Sequence, residues 1–334
     1  MSREIIKIDR SEITARIFGV GDAYVREIEA AFGVDIRNRS EGSGDAILVT
    51  GESEEGVSLA ARVLECLRDE AERTEEIPEQ RVSYIIGMVR DGESGALSHL
   101  DDSTICLTSR GKPIKAKTVG QKKYVEAIAK NTIVLGVGPA GTGKTFLAVA
   151  MVVKALRAGD VNRIILTRPA IEAGEKLGFL PGDLQSKIDP YLRPLYDALY
   201  EMLGAENHAK MVEKGIIEVA PLAYMRGRTL DDSFIILDEA QNATPEQMKM
   251  FLTRLGFRSK AVVTGDLTQT DLPSGQKSGL AMAVRILAGI PDIVIHAFSD
   301  RDVVRHKLVQ KIILAYERFE REQQKYKKGD RTSK

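Results

Sequence analysis

Cysteine is nearly absent: Cys66 and Cys106 stand far apart, and no C-x-x-C pair occurs. That excludes a disulfide framework and the paired-cysteine zinc sites, and two buried, reduced thiols are expected. Histidine is as scarce, with four scattered residues, so no metal beyond Mg²⁺ is expected. No run of 18 apolar residues exists, which excludes a membrane-spanning helix by length. Met1-Ser2-Arg3-Glu4 leads into mixed sequence rather than an apolar signal region, so a cytoplasmic protein without a membrane partner is expected. Internal repeats and low-complexity tracts are missing too. Net charge is absent only on average. Residues 1–80 carry 19 acidic and 10 basic side chains, a net of −9, and the rest of the chain carries +9. A nucleic-acid backbone would find more cations in the larger part.

What is present is chemically explicit. Residues 138–145 read Gly138-Pro139-Ala140-Gly141-Thr142-Gly143-Lys144-Thr145. They follow the apolar run Thr132 to Val137 and open a helical pattern from Phe146 to Leu156. This is the complete phosphate-loop spacing between a strand and a helix, the context that makes it specific. Glycines let backbone N–H groups turn toward an anion, and the helix N-terminus adds partial positive charge. Lys144 can reach the β and γ phosphates, and the Thr145 hydroxyl can ligate Mg²⁺. ATP and Mg²⁺ are therefore the expected ligands.

A second segment adds hydrolysis. Ser233 to Asn242 reads as an apolar strand ending in Asp238-Glu239. Asp238 can hold Mg²⁺ directly or through water, and Glu239 can polarise the attacking water. An Asp-Glu strand end is common by itself; downstream of a phosphate loop it points to an ATPase rather than a nucleotide sensor.

Apolar runs place core strands at Thr132–Val137, Arg163–Thr167, Ile216–Val219, Phe234–Leu237, Ala261–Thr264 and Asp292–His296, with helical patterns between them. This alternation predicts βαβ units: an α/β fold with a mostly parallel sheet and helices on both faces. A glycine- and proline-punctuated stretch, Gly178 to Asp183 and then Pro190 to Leu203, interrupts the series where ligand loops gather.

The first 73 residues read as a separate small α+β module. Ala23 to Phe32 is helical, Val34 to Arg37 and Ala46 to Thr50 alternate as strands, and Ser53 starts a long helix. The module is similar to a KH-like RNA module. Such modules clamp nucleotides with a G-x-x-G loop, and here Gly19-Val20-Gly21-Asp22 puts an aspartate at the second glycine. RNA binding and a protein-contact role both stand for it. Residues 74–118 read as a polar linker and a hairpin, Thr104–Thr108 with Ile114–Thr118, around Arg110-Gly111-Lys112. Residues 119–316 form the ATPase core and 317–334 a basic tail that includes Lys325 to Lys328.

Further motifs carry a resemblance. Thr167-Arg168-Pro169-Ala170 ends the second core strand, and Tyr224-Met225-Arg226-Gly227-Arg228-Thr229 precedes D-E-A-Q-N. Thr264-Gly265-Asp266-Leu267-Thr268-Gln269 ends another strand, and Arg301-Asp302-Val303-Val304-Arg305-His306 lies near the end. In this order they resemble the PhoH family of ATPases from about Gly120 to Tyr316. The core resembles the RecA-like first motor domain of superfamily one helicases. The resemblance implies adenine recognition by Gln121 and Tyr124, and a nucleic-acid or coupling role for Thr167 and Arg168. It implies sensor roles for Gln241 and Gln269, the latter at the γ-phosphate.

It also implies a homo-oligomer, with a hexamer as the expected form. The 36 residues after Phe298 cannot make a second motor domain, so a neighbouring copy is expected to complete the site in a ring. Arg226, Arg228, Arg301 and Arg305 are the candidate arginine donors, with Arg301 and Arg305 favoured; Arg226 and Arg228 are also candidates for the RNA path. The expected function is an RNA-associated, helicase-like or remodelling ATPase. The alternative is an ATP-driven switch acting through an endoribonuclease or a ribosome-associated protein. A small-molecule phosphotransferase lacks an evident acceptor domain.

Overall fold

The computed structural model describes the chain except residues 42–43, 101–103, 170–183, 274, 306–307, 310–311, 314, 317–318 and 320–334. The glycine-rich stretch at 178–183 and the basic tail at 325–328 thus lie outside the described residues. Two compact units result, residues 1–99 with 304–334, and residues 100–303.

The first unit begins with strand β1 (Ser2–Ile8) and helices α1 (Ser11–Phe18) and α2 (Ala23–Phe32). Strands β2 (Val34–Glu41) and β3 (Gly44–Gly51) and the 20-residue helix α3 (Glu54–Arg73) follow. The sheet order is β1-β3-β2, antiparallel throughout. Ile6, Ile8, Ile36, Ile47 and Val49 point to one buried face because side chains alternate along a strand. Ser53 caps α3, accepting from the Gly56 amide at 3.1 Å. Three elements go beyond the sequence reading: β1, α1, and helix α4 (Glu79–Arg90) inside the expected linker. Pro78 is the N-cap residue of α4, and Val82, Ile85, Ile86 and Val89 form its buried stripe.

The second unit carries a six-stranded sheet, all parallel, covered by helices. Its strands are β6 (Ile133–Val137), β7 (Arg163–Arg168), β8 (Ile217–Pro221), β9 (Ser233–Leu237), β10 (Lys260–Gly265) and β11 (Ile293–Ala297). In space the order is β11-β6-β10-β9-β7-β8. All five residues of β9 are buried, as two-sided parallel strands require. The expected core strands are found with ends shifted by one or two residues. The hairpin is shorter than expected, pairing only β4 (Cys106–Leu107) with β5 (Pro113–Ile114); Pro113 has no N–H to extend the ladder.

Helix α5 (Val119–Lys130) leads into β6, and α6 (Lys144–Ala158) leaves it through the phosphate loop. Helices α7 (Leu184–Leu203), α8 (Ala205–Glu213), α9 (Pro245–Leu252) and α10 (Gly279–Ile286) join the remaining strands. Because β10 lies between β6 and β9 and all three are parallel, their carboxyl ends lie side by side at one edge of the sheet. Loops outside carboxyl strand ends are where α/β sheets bind ligands.

Candidate nucleotide site

The loop between β6 and α6 has the conformation its composition demands. Gly138 and Gly143 take φ of 148° and 79°, values that L side chains rarely adopt. A Cβ on Gly138 would also meet the Phe298 backbone oxygen at 2.8 Å. Lys144 turns back over the loop, its Nζ donating to the Gly138 and Pro139 carbonyls at 2.6 and 2.7 Å. A phosphate that takes over this ammonium is held at the α6 N-terminus, where the helix dipole favours anions.

The two expected Mg²⁺ ligands meet. The Thr145 hydroxyl donates to Asp238 Oδ1 at 2.6 Å, although 93 positions separate them. Thr264, at the end of β10, donates to the same oxygen at 2.6 Å. Asp238 is buried, and its amide donates to the Thr167 carbonyl at 2.9 Å. A carboxylate and a hydroxyl beside a phosphate loop are hard oxygen donors, the set Mg²⁺ takes together with nucleotide phosphates. The residues present therefore fit the ion.

Glu239 follows in a left-handed conformation, φ 51° and ψ 41°. A non-glycine residue held there costs on the order of 1 kcal/mol, and such strain collects at functional sites. Its carboxylate is clamped from both sides. Gln241 Nε2 donates to Oε2, and Arg168 Nη2 lies 3.3 Å from Oε1. Gln241 in turn accepts from the Asp266 amide at 3.1 Å, and Asn242 accepts from the Asp271 amide at 2.9 Å. The D-E-A-Q-N segment is thus tied to the loop after β10, where Gln269 lies exposed. The resemblance gave Gln241 as a sensor; the geometry makes it the brace of the candidate base. Asn242, Thr264 and Asp266 appear in the sequence motifs without an assigned role, because their partners Asp271, Asp238 and Gln241 lie on other segments of the chain.

Several expected contacts are placed otherwise. Tyr124, expected at adenine, is wholly enclosed in the core. Its ring sits edge-on to Phe298 at 5.0 Å, and a Cβ on Gly136 would reach it at 2.6 Å. Burial pushes its hydroxyl pKa up, and a fully enclosed ring offers a base no face to stack on without repacking. The Gln121 amide is spent within the chain: Oε1 accepts from the Lys117 amide at 2.7 Å, and Nε2 donates to the Thr142 carbonyl at 3.0 Å. It braces the phosphate loop. Thr167, expected at nucleic acid, is fully buried and contributes its backbone to Asp238. Of the arginine candidates, Arg226 and Arg301 are exposed. Arg305 belongs to the first unit, where its carbonyl accepts from Gln80 Nε2 at 2.8 Å.

Arg228, expected at RNA or a neighbouring site, is committed to Glu218 through both guanidinium nitrogens, Nη2 at 2.7 Å. The Arg228 hydrogen bond holds the Glu218 carboxyl below its ordinary range. A lowered carboxyl pKa adds stability above the unfolded-state value near 4.5, and that stability is lost as pH falls through the folded value. Glu218→Gln should therefore cost about 1–2 kcal/mol at neutral pH. Denaturation midpoints of variant and wild type should converge in acid; a gap that persists unchanged below the folded pKa would contradict the pairing.

Among the described residues no group of three or more metal-ligating side chains forms a separate metal site, and no helix is long and apolar enough to cross a membrane.

A phosphate loop before α6, a hydroxyl–carboxylate pair beside it and a strained glutamate at the next position define a P-loop NTPase. The chain belongs to the PhoH-like protein family, whose model matches residues 113–317. The PhoH-like protein of Bacillus subtilis strain 168 is 50% identical over 312 residues, 93% of this chain and 96% of that one. The PhoH-like protein of Mycobacterium tuberculosis strain H37Rv is 53% identical over 313 residues, 92% of this chain and 86% of that one. A solved Sulfolobus solfataricus SWI2/SNF2 ATPase core in complex with dsDNA covers 55% of this chain and 44% of its own, at 14% identity and a TM-score of 0.31. A likeness of that size does not define a fold.

Proposed function

We propose that this chain hydrolyses ATP with Mg²⁺ and couples the reaction to RNA, as a helicase-like or remodelling ATPase. The loop amides and Lys144 bind the phosphates. Thr145 and Asp238 would hold Mg²⁺, which when bound would supply charge neutralisation for the phosphates. Glu239 accepts a proton from the attacking water. A neighbouring copy supplies an arginine to the developing charge, Arg301 and Arg305 being the favoured donors.

The observation that carries the RNA reading is the ion pair between Arg168 and Glu239. Arg168 ends β7, the strand beside β9, and its guanidinium holds the candidate base. A phosphodiester competes for the same guanidinium. When it wins, Glu239 keeps Gln241 and gains freedom to orient water. RNA binding and hydrolysis thereby share one side chain.

Arg168→Ala tests this. RNA-free turnover should rise by up to about fivefold, the most that a partly exposed pair of about 1 kcal/mol can restrain. Added RNA should no longer raise it. Unchanged basal turnover with full RNA stimulation would contradict the coupling.

A further inference from the structure

Residues 1–80 are acidic overall, yet one face of their sheet is basic. The sheet buries one side under helices, and the other carries three cross-strand rows fixed by register: Arg3-Thr50-Asp35, Ile5-Leu48-Arg37 and Lys7-Ala46-Arg39. Arg3, Lys7, Arg37 and Arg39 are exposed, and so is Ile5 at 57%. Four of the ten basic residues of the first 80 thus share this face with a single acid in the three rows, Asp35, which pairs with Arg37 at 2.6 Å. The rest of that region carries 18 acidic and 6 basic side chains, an excess that disfavours polyanions there.

The Lys7-Ala46-Arg39 row can take an anion, although the next position on that face of β2 is the acid Glu41, opposite Gly44. Lys7 and Arg39 flank Ala46 across the middle strand, roughly 10 Å apart by strand spacing. Ala46 is short and itself buried, so an anion would meet the two long side chains that can converge over it rather than the strand. Arg37 stands two residues along β2, about 7 Å away, so a second phosphate of an extended strand falls within reach. No aromatic lies in these rows, so the face contacts backbone rather than stacked bases.

The Gly19-to-Asp22 loop, by contrast, has structural reasons for its glycines. A Cβ on Gly19 would strike the Tyr24 ring at 2.7 Å. Asp22 sits left-handed, φ 61°, before α2 with its carboxylate exposed. That charge opposes a phosphate at the helix start.

We infer that the open face of the N-terminal sheet docks the phosphodiester backbone of single-stranded RNA, with Lys7 and Arg39 as its principal contacts. The inference rests on the RNA reading above. The three rows span roughly 200–300 Å² by strand geometry, well under the ~800 Å² per partner of a standard protein interface. That size argues against a second copy as occupant.

The test is anisotropy of a labelled oligouridylate with the full chain over a range of salt. Lys7→Gln with Arg39→Gln should weaken binding about 20-fold near 0.1 M salt and flatten the log–log salt slope by about 1.4, two contacts' worth. RNA-free ATP turnover should not change. Arg26→Gln with Arg73→Gln, an equal charge change at exposed positions elsewhere, should leave binding within about twofold. Lys7→Arg with Arg39→Lys should retain it, separating charge from packing. Wild-type chain that ignores oligouridylate would overturn the RNA reading and this inference together. Binding with unchanged affinity and slope in the double variant would overturn this inference alone. A change of oligomeric mass in place of affinity would assign the face to a second copy and overturn it. So would a loss seen with oligothymidylate and not with oligouridylate.

Discussion

Glu239→Gln should slow ATP turnover by about 10²–10⁴, the contribution of one positioned general base, while ATP still binds. The amide keeps the shape and can still meet Gln241, but it cannot accept a proton from water. The clamp by Arg168 and Gln241 and the left-handed backbone at 239 explain why a neighbouring carboxylate cannot substitute. Asp238 is already occupied by two hydroxyl donors. Single-turnover phosphate release beside equilibrium binding of a fluorescent ATP analogue separates the two effects. Normal release by the variant would remove Glu239 from the base role.

Lys144→Ala should abolish practical ATP binding. A hydrogen bond from a charged group is worth about 1.5–3 kcal/mol, and Lys144 offers its charge to two phosphates at once, so affinity should fall by roughly 10²-fold or more. In the structure its ammonium also ties the Gly138 and Pro139 carbonyls, so the loop itself should loosen. Thermal unfolding reads both. Wild-type Tm should climb with ATP concentration by mass action, and the variant's should start slightly lower and stay flat. A variant whose Tm still rises with ATP as the wild type's does would show that the phosphates are held elsewhere.

The parallel sheet was legible because two-sided burial writes near-continuous Val, Ile and Leu runs, as in Val134 to Val137 and Phe234 to Leu237. The phosphate loop and Asp238-Glu239 were legible for a related reason: backbone geometry and ion chemistry restrict residue choice at fixed short spacing. Tyr124, Thr167 and Arg228 are placed otherwise than expected because their surroundings are supplied by other strands and loops. Gly136 and Phe298 enclose Tyr124, β8 and β9 flank the buried Thr167 through Ala220 and Leu237, and Glu218 on β8 claims Arg228. A polar residue in a motif gives no sign of which strand will be its neighbour. β1 was missed because its open face carries Arg3 and Lys7, which blur the apolar alternation. α4 was missed because Pro78 reads as linker punctuation, although proline also begins helices.

Phosphate release from the full chain, with ATP, Mg²⁺ and increasing single-stranded RNA, bears most directly on the account. Release should require Mg²⁺, rise with RNA to a plateau, and be lost in Glu239→Gln at every RNA concentration. RNA that binds without changing the rate would contradict the coupling and favour a switch read by a protein partner. Bound ATP that is never hydrolysed, with or without RNA, would contradict the catalytic reading itself.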